Sequence, residues 1–361
     1  MGDAFWHGKR ILVTGHTGFK GSWLTLWLLH MGADVLGYAL PPATDPSLFE
    51  SMDLGTSVRT VVGDVRDLEG LQRTVEGFKP DIVLHLAAQA LVRASYRDPV
   101  GTYATNVMGT VNLLESVRRA GHARVVVNVT SDKCYENREW VWGYREHEPM
   151  GGHDAYSSSK GCAELITSAY RRSFFATDTE RGAVGIASAR AGNVIGGGDW
   201  AEDRLIPDCM RALSCGQEIS IRNPNSVRPW QHVLEPLWGY LLLIQKLWND
   251  PRAYAQGWNF GPNLQDARRV GWIVDAVTRA WGQGARWRDV SAPDQPHEAT
   301  FLQLDCALAR TRLGWAPKLN VSDAVQWTVD WYRRYEEGEA ALAITQSQIS
   351  MYERRGSLTE A

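Results

Sequence analysis

One short motif constrains this chain more than any other. Gly15, Gly18 and Gly21 are spaced by two residues each, directly after the β-branched run 10–14 and at the head of an apolar helical stretch, 20–31. A glycine turn between a strand and a helix points backbone N–H groups, and the positive end of the helix dipole, at an anion. Gly15, Thr17, Gly18, Phe19, Lys20 and Gly21 are therefore candidate contacts for a dinucleotide pyrophosphate. The competing reading is a plain turn and helix cap with no ligand. With a ligand, such a turn is the first crossover of a parallel nucleotide-binding sheet.

The rest of the first half agrees with that architecture. Short apolar runs at 10–14, 34–38, 58–62, 81–86, 124–130 and 183–190 are separated, for the most part, by helical stretches at 20–31, 68–78, 100–121 and 154–175. Strands that read as unbroken apolar runs between helices are covered on both faces. The expected fold is α/β: a doubly wound parallel Rossmann-type sheet with a smaller, interleaved C-terminal substrate domain. From Asn193 onward glycines and prolines punctuate the chain and strands become hard to place. The expected division is 1–192 for dinucleotide binding, with 230–261 returning to it. Segments 193–229 and 262–338 form the substrate domain, and 339–361 a C-terminal helical tail. Helices are expected at 234–249 and 321–337.

Composition excludes several function classes. With 38 basic and 41 acidic residues the formal charge is −3, which gives no global attraction to nucleic acid or an anionic membrane. The greasiest stretch, 23–40, is interrupted by His30 and Asp34, so no membrane span is expected. Five cysteines without a CxxC pair argue against a disulfide framework or a zinc ribbon and suit a reducing compartment; no metal is expected. The expectation is a soluble cytoplasmic protein. Sixteen tryptophans, eleven of them at or beyond Trp200, are unusual. Spacing of four for Trp23 and Trp27, and for Trp327 and Trp331, marks core faces. Trp200 and Trp230 are instead candidates for the wall of a ligand pocket.

Three further groups carry chemistry. Tyr156 and Lys160 lie four apart at the start of a helix and share a face. A phenol titrates near pH 10, so a useful base needs a downward shift of roughly 3 units, or about 4 kcal/mol. One ammonium at about 4 Å supplies that order of energy at an effective dielectric of about 20. Ser131, Asp132 and Lys133 follow the fifth strand, at the end of the sheet where ligands bind. Asp64 and Val65 follow the third strand; Asp64 is placed to meet an adenine amino group or simply to sit in the loop before a cap at Asp67. The second strand lacks the acidic residue that usually holds the adenosine ribose, which leaves NAD and NADP open on this ground.

The glycine turn, Leu86-Ala-Ala-Gln89, Asn106, Ser131, Tyr156 and Lys160 together resemble the extended short-chain dehydrogenase/reductase family. Within it, stretches 13–23, 130–135, 190–200 and 228–236 are similar to the CDP-glucose branch of the sugar-nucleotide 4,6-dehydratases. The resemblance covers nearly the whole chain. It implies an NAD cofactor, a nucleotide-sugar substrate (CDP-glucose), a homodimer, and a place in deoxysugar and lipopolysaccharide biosynthesis. It implies cofactor contacts from Leu86, Ala87, Ala88 and Gln89 as well as Asp64, Val65, Tyr156 and Lys160. Asn106, Asn193, Arg204 and Arg228 become candidate substrate contacts, with Arg228 suited to a phosphate. Many relatives carry Thr-Asp-Glu where this chain has Ser131, Asp132 and Lys133, as the CDP-glucose branch does. A lysine base there must be neutral, and burial beside Lys160 is the expected means. A 4-epimerase or decarboxylase on the same scaffold is the main alternative. A catalytically silent dinucleotide sensor is another, opposed by the intact Ser131, Tyr156 and Lys160.

Overall fold

The computed structural model describes residues 3–175, 183–291 and 301–356. β1 (Arg10–Thr14) leads through the glycine turn into α1 (Phe19–His30), followed by β2 (Asp34–Ala39), α2 (Leu48–Ser51), β3 (Arg59–Val62) and α3 (Leu68–Phe78). β4 (Ile82–His85) is followed by α4 (Val92–Arg97), α5 (Pro99–Tyr103) and α6 (Gly109–Ala120), then β5 (Val125–Val129), α7 (Ala155–Phe174) and β6 (Gly185–Arg190). The strands run parallel in the order Gly257–Asn259, β6, β5, β4, β1, β2, β3. The short run expected to return to the sheet does so as its edge strand.

Alternation along the strands builds two cores, one on each face. Ile11 and Val13 pack with Trp23, Trp27, Val125 and Val127, whereas Leu12 packs on the other side with Val83, Val126 and Ile186. All of β5 is buried, which explains its unbroken Val-rich reading. Strand order reverses between β1 and β4, where Thr14 lies opposite His85. That reversal opens a crevice at the carboxyl ends of the strands.

The remaining helices are α8 (Leu205–Ser214), α9 (Leu234–Asn249), α10 (Pro251–Tyr254), α11 (Val270–Trp281), α12 (Val321–Glu336) and α13 (Ala341–Arg354). Strands here are only two or three residues long: Val194–Ile195 with Gln231–His232, Val227–Pro229 with Ala267–Arg269, and Ile219–Ile221 with Trp287–Asp289. Segments this short show no periodicity, so they were illegible.

Two expectations need adjustment. The single helix expected over 100–121 is α5 and α6 joined by a π-helical turn, Ala104–Met108, around the buried side chain of Asn106. The helix expected after Gly338 is α13, and it is docked on the body of the protein. Trp27 Nε1 donates to Glu353 Oε1 at 2.7 Å and Trp331 Nε1 to Thr345 Oγ1 at 3.0 Å. The last residues, 357–361, lie outside the described residues. Trp23, Trp27 and Trp331 are fully buried and Trp327 partly so.

Candidate active site

The crevice is a cavity of about 620 Å³ at the carboxyl ends of β1, β4 and β5. One wall is Gly15, Thr17, Gly18, Phe19, Lys20, Gly21, Asp64, Val65, Leu86, Ala87 and Ala88. Ser131, Asp132, Lys133, Tyr156, Lys160, Asn193, Arg204, Arg228 and Trp230 complete it. Residues called out from separate stretches of sequence therefore converge on one site.

The glycine turn is shaped for a ligand. Gly15 has φ +73°, and a Cβ there would stand 2.6 Å from the Ala87 nitrogen. Gly18 is different: a Cβ would meet nothing nearer than the Gly15 carbonyl at 3.5 Å. Packing within the chain does not demand glycine at this helix N-terminus, whereas close approach of a pyrophosphate does. The residues present thus fit a dinucleotide. The end of β2 offers it Leu40 and Pro41, with no acidic side chain, and Thr17 Oγ1 donates to the Leu40 carbonyl at 2.9 Å. Asp64 reaches the wall, but its carboxylate already accepts from Arg66 Nε at 2.9 and 3.0 Å. These bonds hold its pKa below the ordinary carboxylate value. The cap of α3 is Asp67.

Three expected contacts are not brought into the crevice. Asn106 is buried, with Nδ2 donated to the Gln89 carbonyl and Ser159 Oγ at 2.9 and 2.8 Å and Oδ1 accepting from the Gln89 nitrogen at 2.9 Å. Both amide hydrogens are used inside the protein, so Asn106 braces the 86–91 wall against α7 instead of facing a substrate. The Gln89 side chain is spent on Thr102 and the Leu91 nitrogen. Trp200 also stands elsewhere, packed among Trp331, Tyr332 and Tyr335. Trp230 does line the crevice, its Nε1 donating to the Arg268 carbonyl at 3.1 Å.

Asp154 caps α7 by accepting from the Ser157 nitrogen, which sets the phase of the helix that carries Tyr156 and Lys160. Both side chains are buried. Their electrostatics correct the expectation from spacing. Lys160 Nζ donates to the Val129 carbonyl at 3.4 Å, and desolvation pulls its pKa down to about 8. Tyr156 is pushed up to about 12, by burial first and by Asp132 and Asp154; the Ser131 hydroxyl and the Arg204 guanidinium act the other way. A shared helix face places two Cβ atoms side by side, but it does not make the long head groups meet.

Beyond β5, Ser131 Oγ donates to Asp132 Oδ1 at 3.0 Å, and Asp132 Oδ2 is buried with no partner among the described residues. Lys133 is only partly buried, so enclosure is not what the fold provides for it. Lys20 is partly buried in the same way, and desolvation and then the Arg204 charge push its pKa down to about 7. Behind the site, Glu164 accepts from Ser188, Arg190 and Thr130, and these bonds with the Arg190 charge keep it ionised despite full burial. Sequence reasoning missed Glu164, one turn beyond Lys160, and also Asp199, which holds Arg204 Nη1 at 3.0 Å. The i+4 step from Lys160 was the available signal for the first; no local signal marks the second.

The fold, the glycine cradle and the Ser/Tyr/Lys set define a dinucleotide-dependent sugar-nucleotide enzyme, and comparison agrees: the chain belongs to the GDP-mannose 4,6 dehydratase family, whose profile matches residues 12–328. Within that family it is 55% identical to the CDP-glucose 4,6-dehydratase of Salmonella typhimurium, over 96% of this chain and 97% of the relative. A dTDP-glucose 4,6-dehydratase of Streptomyces griseus is 29% identical over 90% of this chain and 94% of its own. Among solved structures, DesIV, a dTDP-glucose 4,6-dehydratase from Streptomyces venezuelae with NAD bound, superposes with TM-score 0.77 and 26% identity over 92% of this chain and 99% of its own. A Thermus thermophilus UDP-glucose 4-epimerase in complex with NAD also gives 0.77, at 25% identity over 90% of this chain and 99% of its own. Among the described residues no cluster of His, Cys, Asp or Glu is arranged to hold a metal, and no helix is long and apolar enough to cross a membrane.

Proposed function

We propose that this chain is an NAD-dependent CDP-glucose 4,6-dehydratase, converting CDP-glucose to CDP-4-keto-6-deoxyglucose and water. The observation that carries the reading is 55% identity to such an enzyme over nearly the full length of both chains. Overall fold alone does not separate dehydratases from epimerases, since both superpose equally well. The Ser131, Asp132 and Lys133 turn favours dehydration, because only dehydration needs a second acid and base beside the Tyr156 site.

A bound oxidised NAD would supply the acceptor for the C4 hydride and its donor to C6, together with a positive charge in the crevice. Tyr156 accepts the C4 hydroxyl proton, and Ser131 hydrogen-bonds the C4 oxygen. That nearby positive charge favours the phenolate, against the burial that raises Tyr156 in the protein alone. Lys160 would hold the nicotinamide ribose. The C4 ketone acidifies C5–H; Lys133 removes that proton while Asp132 protonates the departing C6 hydroxyl as water. Hydride at C6 and a proton at C5 complete the product. Arg228 suits the diphosphate, with Asn193 and Arg204 nearer the sugar.

We also infer a homodimer formed through α5 to α7, where Val100, Met108, Leu165 and Phe174 are exposed apolar side chains. The five unpaired cysteines support a cytoplasmic enzyme. The deciding experiment incubates the protein and NAD with CDP-glucose, UDP-glucose, dTDP-glucose and GDP-mannose in parallel. A 4-keto-6-deoxy product from CDP-glucose alone is expected. Preference for another donor, or an epimer as product, overturns the assignment.

A further inference from the structure

The turn that carries Asp132 and Lys133 is bracketed by two side chains that end on one buried ion pair behind the crevice. We propose that Glu164 and Arg190 are positioning residues for the elimination step, holding this turn in register with the helix that carries Tyr156. The proposal rests on the dehydratase reading above.

The contacts form a closed, buried circuit. Thr130, which precedes Ser131, donates its hydroxyl to Glu164 Oε1. Tyr135, which follows Cys134, accepts from Arg190 Nη1 at 2.6 Å and donates to Asn259 Oδ1 at 2.7 Å. Arg190 Nη2 and Glu164 Oε2 close the circuit at 2.7 Å, with side chains 5% and 4% exposed. Ser188 Oγ donates to the same carboxylate oxygen at 2.6 Å. Glu164 lies on α7, one turn beyond Lys160, and Arg190 ends β6. Both ends of the 131–134 turn are thus tied to the catalytic helix and to the neighbouring strand.

Room for this arrangement is built in. A Cβ at Gly257 of the edge strand would overlap Arg190 Nη2, and a Cβ at Gly192, just past β6, would overlap the Asp132 carboxylate. The end of β6 therefore seats the elimination acid on one side and its tether on the other. Stability alone does not account for the ion pair, because desolvating two charges cancels much of their attraction and an apolar pair of similar volume often stabilises as well. What charge adds here is direction. Glu164 accepts from three donors, and Arg190 donates to Glu164, to Tyr135 and to the Glu146 carbonyl at 2.8 Å. Asp132 and Lys133 sit within the bracket, whereas Tyr156 is fixed by α7 and its Asp154 cap.

The test follows a single turnover of CDP-glucose by excess enzyme at saturating NAD. Quenched samples separate CDP-4-ketoglucose, which still carries its C6 hydroxyl, from the 6-deoxy product. Tyr135→Phe and Thr130→Val each remove one tether and leave the ion pair and the catalytic side chains in place. Each is expected to slow formation of the 6-deoxy product roughly tenfold and oxidation at C4 less than about twofold, so that CDP-4-ketoglucose accumulates. Thr130→Ser, which keeps the hydroxyl, should behave as wild type. Glu164→Gln should show the same imbalance more strongly; if it does not fold, the two tether variants carry the test. Amide hydrogen exchange of the protein alone should rise about tenfold over 130–135 in Tyr135→Phe and stay unchanged in the rest of the sheet. Equal slowing of oxidation and elimination makes the pair purely structural and overturns the proposal, as does product formation at the wild-type rate in both tether variants. Wild-type protein inactive on CDP-glucose overturns the dehydratase reading instead, while the exchange comparison, which needs no substrate, still reports whether the tethers hold the turn.

Discussion

Tyr156 and Lys133 show how residue identity and residue environment separate. The phenol has the right neighbours for proton transfer, but burial drives it to about 12, against the downward pull of the Ser131 hydroxyl and the Arg204 charge. Lys133 is the reverse case. Its position after β5 suits the C5 proton, yet it is partly open to the crevice instead of enclosed. If Lys133 is the elimination base, Lys133→Ala should lower kcat by about 10²–10⁴-fold. In deuterated water it should also stop solvent hydrogen from entering at C5 of CDP-glucose. Full exchange at C5 in that variant would assign the base elsewhere, and the Lys20 amine in the crevice wall is then the next group to test. The identities of both residues were legible because they sit in contiguous motifs. Their protonation was not, because it is set by side chains brought in from other elements.

Among the elements, α13 gains a role that its sequence does not suggest. Glu235 on α9 is completely buried and accepts from the Lys318 nitrogen at 3.0 Å, the Leu319 nitrogen at 2.7 Å and the Tyr352 hydroxyl of α13 at 2.7 Å. Burial pushes its pKa up to about 7. A carboxyl that holds its proton more tightly when folded stabilises most below its unfolded pKa of about 4.5, and that contribution is lost as pH rises through about 7. The size is on the order of 3 kcal/mol. His16, His85 and His232, pushed down by desolvation, act in the opposite sense and cancel when variant is compared with wild type. The excess of wild-type Tm over that of Glu235→Gln should therefore shrink from pH 5 to pH 7.5. A difference that does not change with pH would show that Glu235 does not titrate in this window.

Across the whole molecule, several exposed apolar side chains gather on the catalytic helix α7 and on α5, which packs against it. Val100 is 78% exposed and Leu165 60%. A second copy of the same surface, related by a two-fold axis, would cover both at once. Val100→Glu with Leu165→Glu should convert a dimer to a monomer in sedimentation equilibrium, halving the mass at unchanged far-UV circular dichroism. A wild-type protein that is already monomeric at micromolar concentration would remove the dimer.

By itself, the sequence determined the parallel sheet, the glycine cradle and the identities of Ser131, Asp132, Lys133, Tyr156 and Lys160. Each is written in local periodicity or in a contiguous motif, where a few neighbouring residues suffice to set backbone geometry. Tertiary structure alone decided which side chains face which. It placed Asn106 beneath the wall, turned Asp64 toward Arg66, packed Trp200 against α12 and directed Lys160 at the Val129 carbonyl. Most of these meetings join residues far apart along the chain, and all are settled by packing and desolvation, which no local pattern encodes.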